Sequence, residues 1–188
     1  LLEASNAAGS GSSQANGGYL SAAFCAPWAM PGLPKQALMA LFDRQAPFRW
    51  RPDGSLSQLR WLRELLAHCN AADFSMHRHR LVRLALLSRV CLQEVVAQTG
   101  VSFDFQAKGV LQLYRQAPSA QMVERRLLEL HAFGFDALWC EPHQVRAMEP
   151  GLSGALPIAG GLHVRDDASG DCARFVRNPV SYTHLRAH

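Results

Sequence analysis

An α/β or α+β fold in two regions is what the sequence predicts, and three observations carry that reading. The first half of the chain shows apolar residues at helical spacing behind capping signals. After Gly100 the apolar period changes from helical to alternating. Beyond that point strand-like and helix-like stretches interleave, each bounded by Gly, Pro or a capping residue.

In chain order, the Pro and Gly residues from Pro27 to Pro34 form a turn region, and Lys35 to Phe42 comes next as a short amphipathic helix. Ser55-Leu56-Ser57-Gln58 reads as a capping box. The helix it opens gathers Leu59, Leu62, Leu65, Leu66 and Cys69 within an arc of roughly 120°, the width of a core-facing stripe, and puts Arg60, Arg63 and Glu64 opposite. A longer helix, about Arg78 to Thr99, is apolar around much of its girth (Leu81, Leu84, Leu86, Leu92, Val95) and is predicted to be largely buried, stopping at Gly100.

Ser102-Phe103-Asp104-Phe105-Gln106 then alternates, Lys108-Gly109 turns, and Val110 to Tyr114 gives a second strand, a β-hairpin signal. Ser119 caps a helix carrying Met122, Val123, Leu127, Leu130 and Phe133, closed by Gly134. Ala137 to Cys140 reads as a short strand, and Pro142 and Pro150 bracket a two-turn helix holding Val145 and Met148. Gly160 to Val164 is a strand, and Ser169-Gly170-Asp171 caps a helix from about Cys172.

Composition narrows the function classes. With 48% hydrophobic and 18% charged residues the chain has the makeup of a globular protein. The net charge of +4 is small. Its densest basic stretch, His77-Arg78-His79-Arg80 with Arg83 and Arg89, lies in a helix, whose turn scatters the arginines over more than half the wheel. A solvated face is the reading, with contact to an anionic membrane surface as the alternative, and no nucleic-acid partner is expected. The five cysteines are far apart and form no C-x-x-C pair, which fits unpaired thiols in a reducing compartment. His77 and His79, two apart on a helix, point to nearly opposite sides, so no metal is expected. No apolar run approaches the ~20 residues needed to span a bilayer.

The chemistry concentrates at the start of the chain. Leu1-Leu2-Glu3 reads as a strand end with a terminal carboxylate, the place where a Rossmann unit binds ribose hydroxyls, although any surface Glu after two leucines would look alike. Residues 4–21 are rich in Gly, Ala and Ser. They suit either a flexible linker or a loop that cradles a ligand, with small residues for close backbone approach and hydroxyl and amide donors for phosphate oxygens.

The string Ser13-x-Ala15-Asn16-Gly17-Gly18, then Ala26-Pro27-Trp28-Ala29-x-Pro31-Gly32, resembles the early region of the D-amino acid dehydrogenases of the D-amino acid oxidase superfamily. The resemblance continues through Asp53-Gly54-Ser55-Leu56, Arg80-Leu81-Val82-Arg83-Leu84-Ala85, Gly109-Val110-Leu111-Gln112-Leu113, Gly160-Gly161-Leu162 and Gly170-Asp171-Cys172. It thus covers about Leu1 to Val176.

The resemblance implies a partial Rossmann-type FAD-binding domain plus a mixed-sheet substrate domain, as in D-amino acid oxidase-like flavoproteins. On that reading residues 1–100 belong to the FAD-binding domain (end of the second strand, flavin loop, helices) and 101–166 to the substrate domain. Residues 167–178 start a helix that returns to the FAD domain, and 179–188 is a tail resembling a translated sequencing adapter. The implied enzyme oxidises D-amino acids to 2-oxo acids and ammonia with FAD as cofactor and a quinone or electron-transport chain as acceptor. It would be cytoplasmic, with peripheral association at the inner membrane left open.

Carried over by position, Glu3 binds ribose, Ser12 and Ser13 the pyrophosphate, and Asn16, Gly17, Gly18 and Leu20 run beside the isoalloxazine. Tyr19 departs from the Gln common in the family. No catalytic residue is assigned, because hydride transfer to a flavin asks the protein mainly to orient its substrate. His163 reads as a satisfied strand residue and Asp171 as a helix cap. The Gly-x-Gly-x-x-Gly turn is expected upstream of Leu1 and the substrate-carboxylate cation downstream of Val176, so the stretch alone is expected to bind FAD weakly or not at all and to be inactive. The alternatives are an oxygen-using amine oxidase of the glycine or sarcosine oxidase kind, and a helical interaction module with a Gly/Ser arm.

Overall fold

The computed structural model describes residues 9–40, 53–152, 154 and 156–178. Two compact units divide the chain, one of 1–24 with 86–188 and the other of 25–85.

In the unit of 25–85 the structure is helical. Helix α1 spans Leu33–Ala40, close to the Lys35 to Phe42 prediction, whose last two residues lie outside those described. Helix α2 spans Leu56–Ala67, and Ser55 caps it by accepting a hydrogen bond from the Gln58 amide at 3.1 Å. The reciprocal arm of the predicted capping box goes elsewhere: the Gln58 side chain accepts from the Asp53 amide at 2.9 Å, while Ser55 N–H donates to the Asp53 carboxylate at 2.8 Å. Asp53 therefore absorbs the donor that the box would have satisfied, and the bonds from the Ser55 amide and hydroxyl hold its carboxyl below the usual range.

Helix α3 spans Ala71–Thr99, and the division between the units falls within it. It begins about two turns before the predicted Arg78, because Asn70 is its cap and accepts from the Asp73 amide at 2.9 Å. It ends as expected at Gly100, which adopts φ 64°. Its predicted burial is not found: among its residues Arg78 and Val82 are buried, while Leu84, Leu87 and Val90 stand exposed. Likewise α2 has no buried residue, although its stripe reads as core-facing. Apolar girth states what a helix is able to bury, not that this stretch of chain supplies the covering partner.

The other unit is built on a three-stranded antiparallel sheet of order β2 (Val110–Tyr114), β4 (Gly160–Val164), β3 (Ala137–Cys140). Register fixes its faces, since directly paired residues point the same way. Leu162, paired with Gln112 and Trp139, and Val164, paired with Val110 and Ala137, share one face. Helix α4 (Ala120–Ala132) lies on that face, where a cavity of about 200 Å³ is lined by Met122, Val123, Trp139 and Leu162. Gly161 opens the other face to Leu111 and to Val145 of α5 (Pro142–Met148), both within 3.0 Å of where its Cβ would stand. The sheet is thus covered by a helix on each side, with Leu130, Val145, Leu162 and Val164 at the centre of the core.

Helices α4 and α5 agree with the sequence reading. Ser119 accepts from the Met122 amide at 3.2 Å, Gly134 ends α4 at φ 86°, and Glu141 N–H donates to the Gln144 side chain at 2.8 Å ahead of Pro142.

The predicted hairpin is absent. Strand β2 pairs with β4 instead of with 102–106, and that segment contributes only an isolated bridge between Gln106 and Ser169. Asp104 takes φ 54°, a left-handed conformation that breaks a strand, and its carboxylate binds Arg174 Nη1 at 2.7 and 2.6 Å. Phe103 turns inward and stacks edge-on to Phe175 at 5.1 Å.

Leu130 is 0% exposed and Leu128, two residues earlier on α4, is 63% exposed. Leu130→Ala is expected to cost about 2–5 kcal/mol through lost burial and the cavity left behind, whereas Leu128→Ala should stay within about 0.5 kcal/mol. Urea unfolding monitored by circular dichroism compares the two, and equal costs would contradict the packing described.

Candidate functional site

The predicted flavin loop folds back on the sheet-bearing unit to which it belongs. Gly9 is buried at φ 72°, and a Cβ there would come within 3.5 Å of Ala173 O and Val176 in the helical segment 172–178. From Ser10 to Gly17 the chain is a largely exposed turn, closed by a bond from the Gln14 amide to Gly11 O at 3.1 Å. The Asn16 side chain then accepts from the Gly18 amide at 2.8 Å, an Asx-type turn that sets the direction in which the chain enters its first strand.

Gly18 adopts φ 70°, and an added Cβ would collide with the carbonyl of Gly170. Its own carbonyl accepts from the Gly170 amide at 2.9 Å. Strand β1 (Tyr19–Leu20) next pairs antiparallel with β5 (Ala168–Ser169), Tyr19 opposite Ser169 and Leu20 opposite Ala168. Ser169 also exchanges both backbone bonds with Gln106, so β5 is held on both edges.

Past β1 the chain meets Asp167, a residue with no role in the sequence reading. This carboxylate is 1% exposed. It accepts hydrogen bonds from the Ser21 hydroxyl and, at 3.1 Å, from the Ala22 amide. Ser21 Oγ in turn accepts from the Phe24 amide at 3.3 Å. Burial pushes the Asp167 carboxyl above the ordinary 3.8, while the bonds from Ser21, Ala22 and Ala23 and the nearby Arg89 pull it back. Arg89 donates to Asp166 O at 3.0 Å.

The predicted site residues therefore fall into two adjoining groups. Ser12, Ser13, Asn16 and Gly17 sit together on the turn, and Gly18 and Leu20 lie at and within the β1–β5 ladder. Glu3 lies outside the described residues, as does the 179–188 tail. Tyr19 is 72% exposed. His163 bonds the Lys108 carbonyl at 3.2 Å through Nε2, and Asp171 caps the 172–178 segment by accepting from the Arg174 amide at 2.9 Å. Asp167 and Ser21 escape a reading of the sequence because nothing local marks them: they meet across 146 residues. An Asp after a strand reads only as a loop.

The turn suits a pyrophosphate. It offers the hydroxyls of Ser12 and Ser13, residues 9–18 contain no acidic side chain, and among the described residues nothing beyond its chain neighbours stands within 4 Å of where a Gly11 Cβ would be. A family profile described as FAD dependent oxidoreductase matches residues 1–179. The chain belongs to the FAD dependent oxidoreductase family. A D-amino acid dehydrogenase of Neisseria meningitidis is 39% identical over 165 residues, 87% of this chain and 40% of that protein. One from Xylella fastidiosa is 35% identical over 178 residues, 94% of this chain and 41% of that protein. The chain thus spans about two fifths of the length of these curated relatives. Among solved structures, the glycine oxidase of Bacillus cereus aligns with a TM-score of 0.43 at 16% identity, covering 90% of this chain and 32% of that one. That of Geobacillus kaustophilus aligns with a TM-score of 0.41 at 19% identity, covering 90% and 36%. Membership makes FAD the cofactor of the family to which the loop belongs, and no described helix is long and apolar enough to cross a membrane.

This geometry has two testable consequences. Gly18→Ala forces a side chain into a left-handed backbone against a carbonyl that cannot swing away, and should cost about 1–3 kcal/mol; Gly17→Ala, whose Cβ meets only the exposed Tyr19 ring, should cost under about 0.5 kcal/mol. Denaturant midpoints decide between them. The second concerns pH. Because the folded Asp167 pKa lies above its unfolded value, the folded state holds that proton more tightly. Its contribution is fully present below the ordinary 3.8 and is lost as pH rises through the folded value. The exposed Asp53 and the half-buried Asp73, both lowered, run the opposite way, losing stability as pH falls. Subtracting the stability profile of Asp167→Asn from that of the parent isolates the Asp167 part, which should decline from acid toward neutral pH; a rising difference would contradict it.

Proposed function

We propose that this chain is part of a D-amino acid dehydrogenase that converts a D-amino acid through its imine to the 2-oxo acid and ammonia. The observation that carries the reading is the 39% identity to a protein of that name over 87% of this chain. FAD, when bound, supplies the two-electron acceptor for the hydride that leaves the substrate Cα. Water adding to the imine then releases ammonia.

The residues of this chain would act as binding and orienting groups. Glu3 accepts from the adenosine ribose hydroxyls, and Ser12 and Ser13 donate to the pyrophosphate. Asn16 holds the turn through Gly18, so that Gly17, Gly18 and Leu20 pass beside the isoalloxazine, where small residues permit close approach. The acceptor side of the reaction is a membrane quinone or electron-transport chain, reached by peripheral association from the cytoplasm.

Anaerobic mixing of the full-length protein with D-alanine tests the reading. The flavin absorbance is expected to bleach with D-alanine and not with L-alanine, then to return on adding a soluble quinone far faster than on adding oxygen. Fast reoxidation by oxygen would indicate an amine oxidase instead, and no bleaching with any D-amino acid would remove the proposal.

A further inference from the structure

We infer that Asp167 is the positioning residue of the flavin loop, its buried carboxylate fixing Ser21 and Ala22 and, through them, the stretch Gly17–Leu20 that precedes them. The inference rests on the proposed placement of that stretch beside FAD.

The ladder between β1 and β5 is two residues long. So short a pairing is weak by itself and would let the strand fray or slip. Asp167 stands at the end of that ladder, one residue before β5, and closes it with a hydroxyl bond from Ser21 and an amide bond from Ala22. Two donors from consecutive residues converge on this one carboxyl group, so a single side chain ties down the chain where the ladder ends.

The residue is itself held firmly. Its carbonyl accepts from the Gly109 amide at 3.0 Å, at the edge of the three-stranded sheet, and the Arg89 guanidinium favours its charged form. An apolar side chain would fill the same space without the desolvation that a buried carboxylate suffers. What an apolar residue could not do is gather donors from the segment immediately after the loop. Among the described residues the donors come from one side, residues 21 to 23, which makes the carboxylate a tether for that segment rather than a general filler of the core.

The test uses the full-length protein. FAD affinity is read from flavin fluorescence on titration, and the setting of the bound ring from its visible circular dichroism. Asp167→Ala is expected to weaken FAD binding about tenfold or more and to flatten the visible dichroism. Asp167→Asn, which keeps one acceptor, and Ser21→Ala should move both signals in the same direction by less, and they carry the test if Asp167→Ala does not fold. Val145→Ala is the comparison: it removes a fully buried side chain beneath α5, away from the loop, and should lower the melting temperature while leaving FAD affinity within about twofold. Variants of Asp167 and Ser21 that lose stability as Val145→Ala does, yet keep parental affinity and dichroism, would overturn the inference alone. A parent protein that takes up no FAD overturns the proposed function along with it.

Discussion

The pairing of β1 with β5 is the constraint on which the rest of the site depends. Without it the stretch from Gly9 to Leu20 would be a Gly/Ser arm, because residues of that composition bury little and lose much entropy on ordering. The pairing brings Tyr19 opposite Ser169 and sets Gly18 against Gly170, and each of these contacts joins the start of the chain to its far end. Closing so long a loop is costly for a two-residue ladder. The cost is offset by the surroundings of the ladder: the second edge of β5 bonded to Gln106, Phe103 packed over Gly170, and the carboxylate of Asp167 below.

How much of this is legible in the sequence depends on the range of each interaction. Caps act over three or four residues, so Ser55, Ser119, Gly100 and Gly134 mark helix ends that the structure reproduces. Asn70 carries the same kind of signal, and a start at Arg78 passes over it and the turns of helix that it opens. Alternation acts over five or six residues and marks the strands Val110–Tyr114, Ala137–Cys140 and Gly160–Val164 correctly. It says nothing of partners. Proximity in sequence therefore joins the segment 102–106 to β2, whereas Asp104 bends it away toward Arg174 and Ser169.

Charge is the least legible quantity of all. Asp166, Asp167 and Asp171 stand close together in sequence, yet one presents its backbone carbonyl to Arg89, one is buried with its carboxylate fully engaged, and one caps a helical segment. Asp171 acts on the segment it adjoins, whereas Asp166 and Asp167 differ in which distant segment each meets. A buried carboxylate is identified only once its donors are known, and here the donors lie at the opposite end of the chain.

The glycines of the loop separate what the fold requires from what it leaves unexplained. Gly9 has φ 72° and abuts the 172–178 segment, and Gly18 has φ 70° and abuts the Gly170 carbonyl. Both have sufficient reason in the protein itself, so neither argues for a ligand. Among the described residues beyond their chain neighbours, a Cβ at Gly11 would meet nothing within 4 Å and one at Gly17 the exposed ring of Tyr19, and neither glycine has a positive φ. A side chain at Gly11 would project into open space and one at Gly17 would press on the exposed Tyr19 ring, and Gly at these positions gives up rigidity with no core packing gained in return. The absence of a Cβ at these two positions makes sense where something outside the described chain must come close to the backbone. They flank Ser12, Ser13 and Asn16, so the close approach and the hydroxyl donors fall on the same turn. That coincidence, more than the glycine content of the loop, is what supports the proposed dinucleotide cradle over a linker.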